Sequence, residues 1–204
     1  MRLALLATLG GLALALVRGG RPANLPSERL RWSGLAFLAV GLYLAPLLLN
    51  AAPSVALALV LMSYAALLTF AAANLRLVGM AVVALGLGLN ALVILLNGGM
   101  PVDPAAVVAA GLVGTDEIGS IDLGAGRQWQ APDSPLGMLG DIVPVAPLDE
   151  VVSFGDLILA GGLANVAYRL LLPLVGKRSR SAGHGRHQPE HRAHPPAAPL
   201  SPAR

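Results

Sequence analysis

Apolar positions along this chain gather into long runs, and the polar positions between them form short connections. The runs cover residues 3–17, 33–49, 54–73, 77–96 and 155–175. A stretch of about 17 or more apolar residues is long enough to cross a bilayer as a helix. The pattern therefore predicts an all-α membrane protein, a bundle of five transmembrane helices. The first run is the shortest, and Thr8 interrupts it. With Arg2 ahead of it, it resembles a secretory signal. No convincing small-x-small cleavage site precedes Arg18, and the positive charge lies on its C-terminal flank, so it is expected to stay attached. If it is removed, or lies in the interface, four spans remain and every later connection keeps its side.

Polar residues and prolines set the punctuation. Pro22 and Pro26 break any helix within 18–32. Asn50 and Pro53 bound a tight uncharged turn, and Asn74 and Arg76 mark the next one. A long loop, 97–153, precedes the fifth run, and a tail rich in Pro, His and Arg, 176–204, follows it. Charge is sorted across these connections. Eleven of the fourteen basic residues fall in 18–32, at Arg76 and in the tail, and Arg169 at the same face makes twelve; nine of the eleven acids, Asp156 included, fall on the face of the long loop. Lys and Arg are retained in the cytosol during insertion. The expected setting is a bacterial inner membrane, with the N-terminus outside and the C-terminus cytoplasmic.

Composition agrees. Charged residues are 12% of the chain and mean hydropathy is +0.70, against about 25% charged in a soluble domain. There is no Cys, which excludes disulfides, thiolate metal sites and Cys nucleophiles. The pI near 10.0 does not point to nucleic acid. The basic residues lie in juxtamembrane connections and the tail, and 4% aromatics leave few stacking platforms. No cofactor motif is present. The expected partners are the lipid bilayer and other membrane proteins or a second copy of the chain.

The span cores hold almost no ionisable group. Arg169 lies near a cytoplasmic end and can snorkel outward, and Asp156 lies at the opposite end of the same run. Proton relays and voltage sensors need charge at mid-depth, so neither is expected, and no catalytic residue is assigned. Uncharged polar residues remain. Thr8, Tyr43, Tyr64, Asn90 and Asn165 form a layer roughly 10–15 Å below the outer surface, at about 1.5 Å per helical residue. They fit either a pocket open to the outside or hydrogen-bonded glue between helices. Gly86 and Gly88, with Gly161 and Gly162, are expected to let helices approach closely at this depth.

The outer loop carries the denser motifs. Asn97-Gly98-Gly99-Met100-Pro101 reads as a left-handed helix stop, with Pro preventing resumption. Asp103-Pro104 starts a short helix over 105–113, and 135–145 offers a second short apolar segment of the same kind. Both are expected to fold the loop back as a lid. Ser153 and Asp156 have capping-box spacing at the start of the fifth run. A sharper possibility gathers Asp141 and Asp156 with Asp103 or Asn97 around Mg²⁺ or Ca²⁺. Capping already explains two of these four, so no metal is assigned. Leu139-Gly140-Asp141-Ile142 is echoed by Phe154-Gly155-Asp156-Leu157. In the tail, His184, His187, His191 and His194 lie among Gly and Pro, and a disordered basic segment held near anionic lipid is expected.

Three motifs taken together, Asn97-Gly98-Gly99-Met100-Pro101-Val102, Leu139-Gly140-Asp141-Ile142-Val143-Pro144 and Val152-Ser153-Phe154-Gly155-Asp156, carry a resemblance. With the spans, the chain resembles the bacterial integral membrane family known as domain of unknown function 5317, over about residues 1–175. The resemblance implies a small inner-membrane protein and no catalytic residue. Members of that family often have His before the Leu-Gly-Asp motif; here 127–135 has none. The leading expectation is a non-enzymatic envelope scaffold or accessory subunit. A transporter component using the outer polar layer comes second, and a membrane enzyme with an outer carboxylate site third.

Overall fold

The computed structural model describes residues 2–22, 30–118, 121–124 and 126–172. Five long helices occupy the five apolar runs: α1 (Arg2–Val17), α2 (Ser33–Leu49), α3 (Pro53–Ala73), α4 (Met80–Asn97) and α6 (Phe154–Leu171). Among the described residues, α3, α4 and α6 are long and apolar enough to cross a membrane, and α1 and α2 are shorter apolar helices. The last helix ends at Leu171, short of the expected 175, and residues 173–175 lie outside the described residues. So do the tail and its four histidines. The chain divides near residue 173 into two units, and the described residues all belong to the first.

Local chemistry sets the helix ends. Asn50 adopts the left-handed conformation and returns its N–H to the Pro46 carbonyl. Pro53 then opens α3, where a missing N–H costs nothing. Gly98, also left-handed, closes α4 as the sequence predicts. Ser153 and Asp156 form the full capping box of α6.

The helices pack in a row: α1 on α6, α6 on α4, α4 on α3, α3 on α2. Central α4 is the most buried, and Met80, Val83 and Leu87 join Ala71 and Val166 in its core. Small residues let these helices approach. A side chain at Gly86 would strike the Gly155 carbonyl at 2.6 Å, and one at Gly162 would strike Val83 at 2.8 Å. Gly88 and Gly161 face open space and play no such part. At the basic end of the bundle, buried Asn74 joins α3 to the segment before α2. Its Oδ1 accepts from the Arg31 N–H at 2.8 Å and its Nδ2 donates to the Arg31 carbonyl at 2.8 Å.

The loop 97–153 corrects the all-helical expectation. It folds as a four-stranded sheet of order β2-β1-β3-β4, formed by β1 (Met100–Val102), β2 (Arg127–Trp129), β3 (Asp141–Val145) and β4 (Glu150–Ser153). The short helix expected after Asp103 is present as α5 (Pro104–Ala109), capped by the Asp103 carboxylate. The second expected segment, 135–145, is instead a 3₁₀ turn (Gly137–Leu139) followed by β3. β1 runs parallel to both neighbours, and β3 pairs antiparallel with β4. Ala106 and Val107 of α5, with Ala110 at its end, pack on Val102 and Val151 of the sheet, giving this region its own core. Met100 joins the sheet to Val60, Val93 and Ile94 of the bundle.

Glu150 ties the sheet to α1. Its carboxylate accepts from the Arg2 and Leu3 amides at 2.6 and 3.0 Å. Burial alone would raise its pKa, but these donors hold it below the usual range. The start of α1, the end of α4, the start of α6 and the sheet therefore share one end of the bundle.

Candidate functional site

Strand register brings the motifs of this loop together. Asp141 pairs with Ser153 across β3 and β4, and an irregularity between Asp141 and Val143 bends the strand there. Bulges of this kind re-aim side chains. Ser153 ends β4 and caps α6, so the carboxylates of Asp141 and Asp156 come to the same place. Gly140 lets β3 pass Pro101 of β1, because a side chain there would run into the Pro101 carbonyl. The two echoed Gly-Asp pairs thus begin different elements, a strand and a helix, yet deliver their carboxylates to one cavity.

That cavity holds about 170 Å³ between the bundle and the sheet. Its polar lining is Tyr43 and Ser63, Tyr64, Arg127, Asp141 and Asp156; the rest is largely apolar, including Leu67, Leu87 and Leu159. One water needs only about 10–15 Å³ of such space, so several small groups fit.

Two hydrogen-bonded clusters edge the cavity. In the first, buried Asn90 is the hub. Its Nδ2 donates to Asp156 Oδ1 at 2.8 Å, and its Oδ1 accepts from the Ser153 hydroxyl at 2.8 Å. The Asp156 N–H donates to Ser153 Oγ at 3.0 Å, and the Ser153 N–H to Asp156 Oδ2 at 3.2 Å. Every polar side-chain atom of this set is engaged within the protein. In the second cluster, Arg127 Nε donates to Asp141 Oδ2 at 2.9 Å. Asp141 is 1% exposed, and its Oδ1 has no hydrogen-bond partner among the described residues. An unpaired buried acceptor costs about 1–3 kcal/mol, so this oxygen is the unresolved chemistry of the site. Burial pushes the Asp141 pKa up to about 6; Arg127 opposes the rise and Asp156 adds to it.

The other expected residues fall into place around this pair. Tyr43 and Tyr64 line the cavity. Asn165 does not: it is exposed on α6, and its Oδ1 accepts from Arg169 Nε at 3.0 Å. Thr8 bonds back to the Ala4 carbonyl within α1. Asn97 Nδ2 donates to the carbonyls of Val93 and Pro135, joining α4 to the loop. Gly98 turns the chain, and Met100 lines the cavity beneath β1. Two polar lining residues were not foreseen. Arg127 had a visible signal as the single base in an acidic loop; Ser63, which donates to the Ala39 carbonyl at 2.8 Å, had none beyond its hydroxyl.

The divalent-cation arrangement is not formed. Among the described residues no three His, Cys, Asp or Glu side chains are grouped to hold a metal. Asp103 is spent on capping α5, and Arg127 already occupies one oxygen of Asp141. A hard cation needs about six to eight oxygen ligands. The lining suits a ligand with both hydrogen-bond donors and acceptors.

No curated protein and no solved structure matches this chain. The sequence model described as "Family of unknown function (DUF5317)" matches residues 28–168, from before α2 to within α6. That segment holds all four strands and every polar lining residue, and α1 precedes it. The chain belongs to the DUF5317 family.

Proposed function

We propose that this is a five-span bacterial inner-membrane protein that binds a small ligand beneath an extracytoplasmic lid. It would serve as the ligand-binding part of a transport or sensing system. In this reading the sheet and the start of α1 lie outside and the Arg-bearing connections lie in the cytosol. Side chains such as Phe37, Leu47, Leu48, Leu85 and Leu95 are more than half exposed along the helices. Apolar surface this extensive is rare on soluble monomers and suits lipid. The observation that carries the binding role is the buried, unpaired Asp141 oxygen in the cavity wall. It moves the preference from the scaffold expected at first to a ligand site, because a packing interface would have supplied that oxygen with a donor.

The absence of Cys makes the test clean. Val60 and Val93 are both buried in one cluster, but only Val60 lines the cavity. N-Ethylmaleimide is expected to label Val60→Cys at least ten-fold faster than Val93→Cys in purified full-length protein. Equal rates would show a space closed to small molecules and end the ligand-site reading.

A further inference from the structure

We infer that the cavity takes the polar head of a lipid-like amphiphile, which enters from the outer leaflet between α1 and α2. This deepens the ligand-site reading and rests on it. α1 and α2 stand at opposite ends of the packed row and are not packed on each other, yet both line the cavity. Leu3 and Ala4 belong to one side, Val40, Tyr43 and Leu44 to the other.

The opening is identified by residues that both line the space and are exposed. On the helices these are Val40 at 52% and Leu44 at 40%, both apolar. The other is Arg127 in the sheet, whose side chain is 38% exposed. The mouth thus has an apolar edge at helix level and a charged edge at the level of the sheet. That order matches an outer leaflet, with acyl chains below headgroups. The roof offers a guanidinium as donor and the Asp141 Oδ1 as acceptor. This pair complements a head that combines an anionic or carbonyl acceptor with an ammonium or hydroxyl donor. Size points the same way. Pockets that engulf a whole drug-sized ligand hold about 300–1,000 Å³, and 170 Å³ takes a headgroup while its chain stays in the gap.

Full-length Val60→Cys protein in amphipol is the assay, with N-ethylmaleimide as the probe. Lysophosphatidylethanolamine should slow labelling at least ten-fold, and glycerophosphoethanolamine, the same head without a chain, should not do so at equal concentration. Adding Val40→Trp at the exposed mouth should remove the protection, read as the ratio of labelling rates with and without the lipid in that same protein. Arg127→Gln should weaken it. Equal protection by the chainless head would overturn entry from the membrane, as would full protection of the Val40→Trp protein. Protection by neither compound overturns the amphiphile. In each case the rate without ligand, compared with Val93→Cys, reports separately whether the cavity exists.

Discussion

Gly155→Val is expected to destabilise the protein by on the order of 3 kcal/mol or more, enough to deplete the folded form. At this position α6 crosses α4 so closely that a side chain would enter the space of Asn90 Oδ1 and lie 2.8 Å from the Gly86 carbonyl. Overpacking a well-filled contact costs about 1–3 kcal/mol. Here it also displaces the hub of the first cluster. Losing Asn90 from Asp156 and Ser153 strips partners from a carboxylate and a buried hydroxyl, and bonds to charged groups are worth about 1.5–3 kcal/mol. Gly161→Ala on the same helix is the matched control. It meets nothing within 4 Å, and Ala favours a helix over Gly by up to about 1 kcal/mol. Unfolding in SDS-containing mixed micelles, followed by circular dichroism, checks both. Equal stability of the two variants would mean that α4 and α6 do not meet here.

The second large effect is on pH dependence. Burial first, and Asp156 after it, raise the Asp141 pKa from 3.8 to about 6 against the pull of Arg127. The folded protein therefore binds this proton more tightly than the unfolded chain does between about pH 4 and 6. The stability that comes from the proton is fully present below about pH 4 and is lost as pH rises through about 6. At 1.36 kcal/mol per unit, the loss amounts to about 3 kcal/mol at most. Asp141→Asn keeps the shape and carries no such charge. Thermal midpoints from pH 4 to 7.5 should show the wild type falling relative to Asp141→Asn, with most of the change complete by pH 7. A difference that stays constant with pH would show that Asp141 is not buried in this way.

The helices were legible because an uninterrupted apolar run has one reading, and Asn50, Pro53 and Gly98 name its ends. The sheet was not. Its strands are three to five residues long, too short to display a period of two. Pro101 and Pro144 sit inside strands, where proline argues against that assignment. The apolar residues of 135–145 suit a helix face equally well, and only pairing with β4 decides between the two. Depth in the bundle grouped Thr8, Tyr43, Tyr64, Asn90 and Asn165, of which only Tyr43 and Tyr64 line the cavity. Rise per residue fixes how deep a side chain lies, not which way round the helix it points. Arg127 reaches Asp141 through the register of β1 with β2 and β3, a long-range fact that no local pattern encodes.

Orientation is most directly measured with single cysteines in otherwise Cys-free protein, in intact cells. Asp133→Cys lies in the loop after β2, and Leu75→Cys lies between α3 and α4, where Leu75 is exposed. A membrane-impermeant maleimide should label Asp133→Cys at once and Leu75→Cys only after permeabilisation. The reverse pattern, or labelling of both before permeabilisation, would contradict an outward-facing sheet and the cavity placed beneath it.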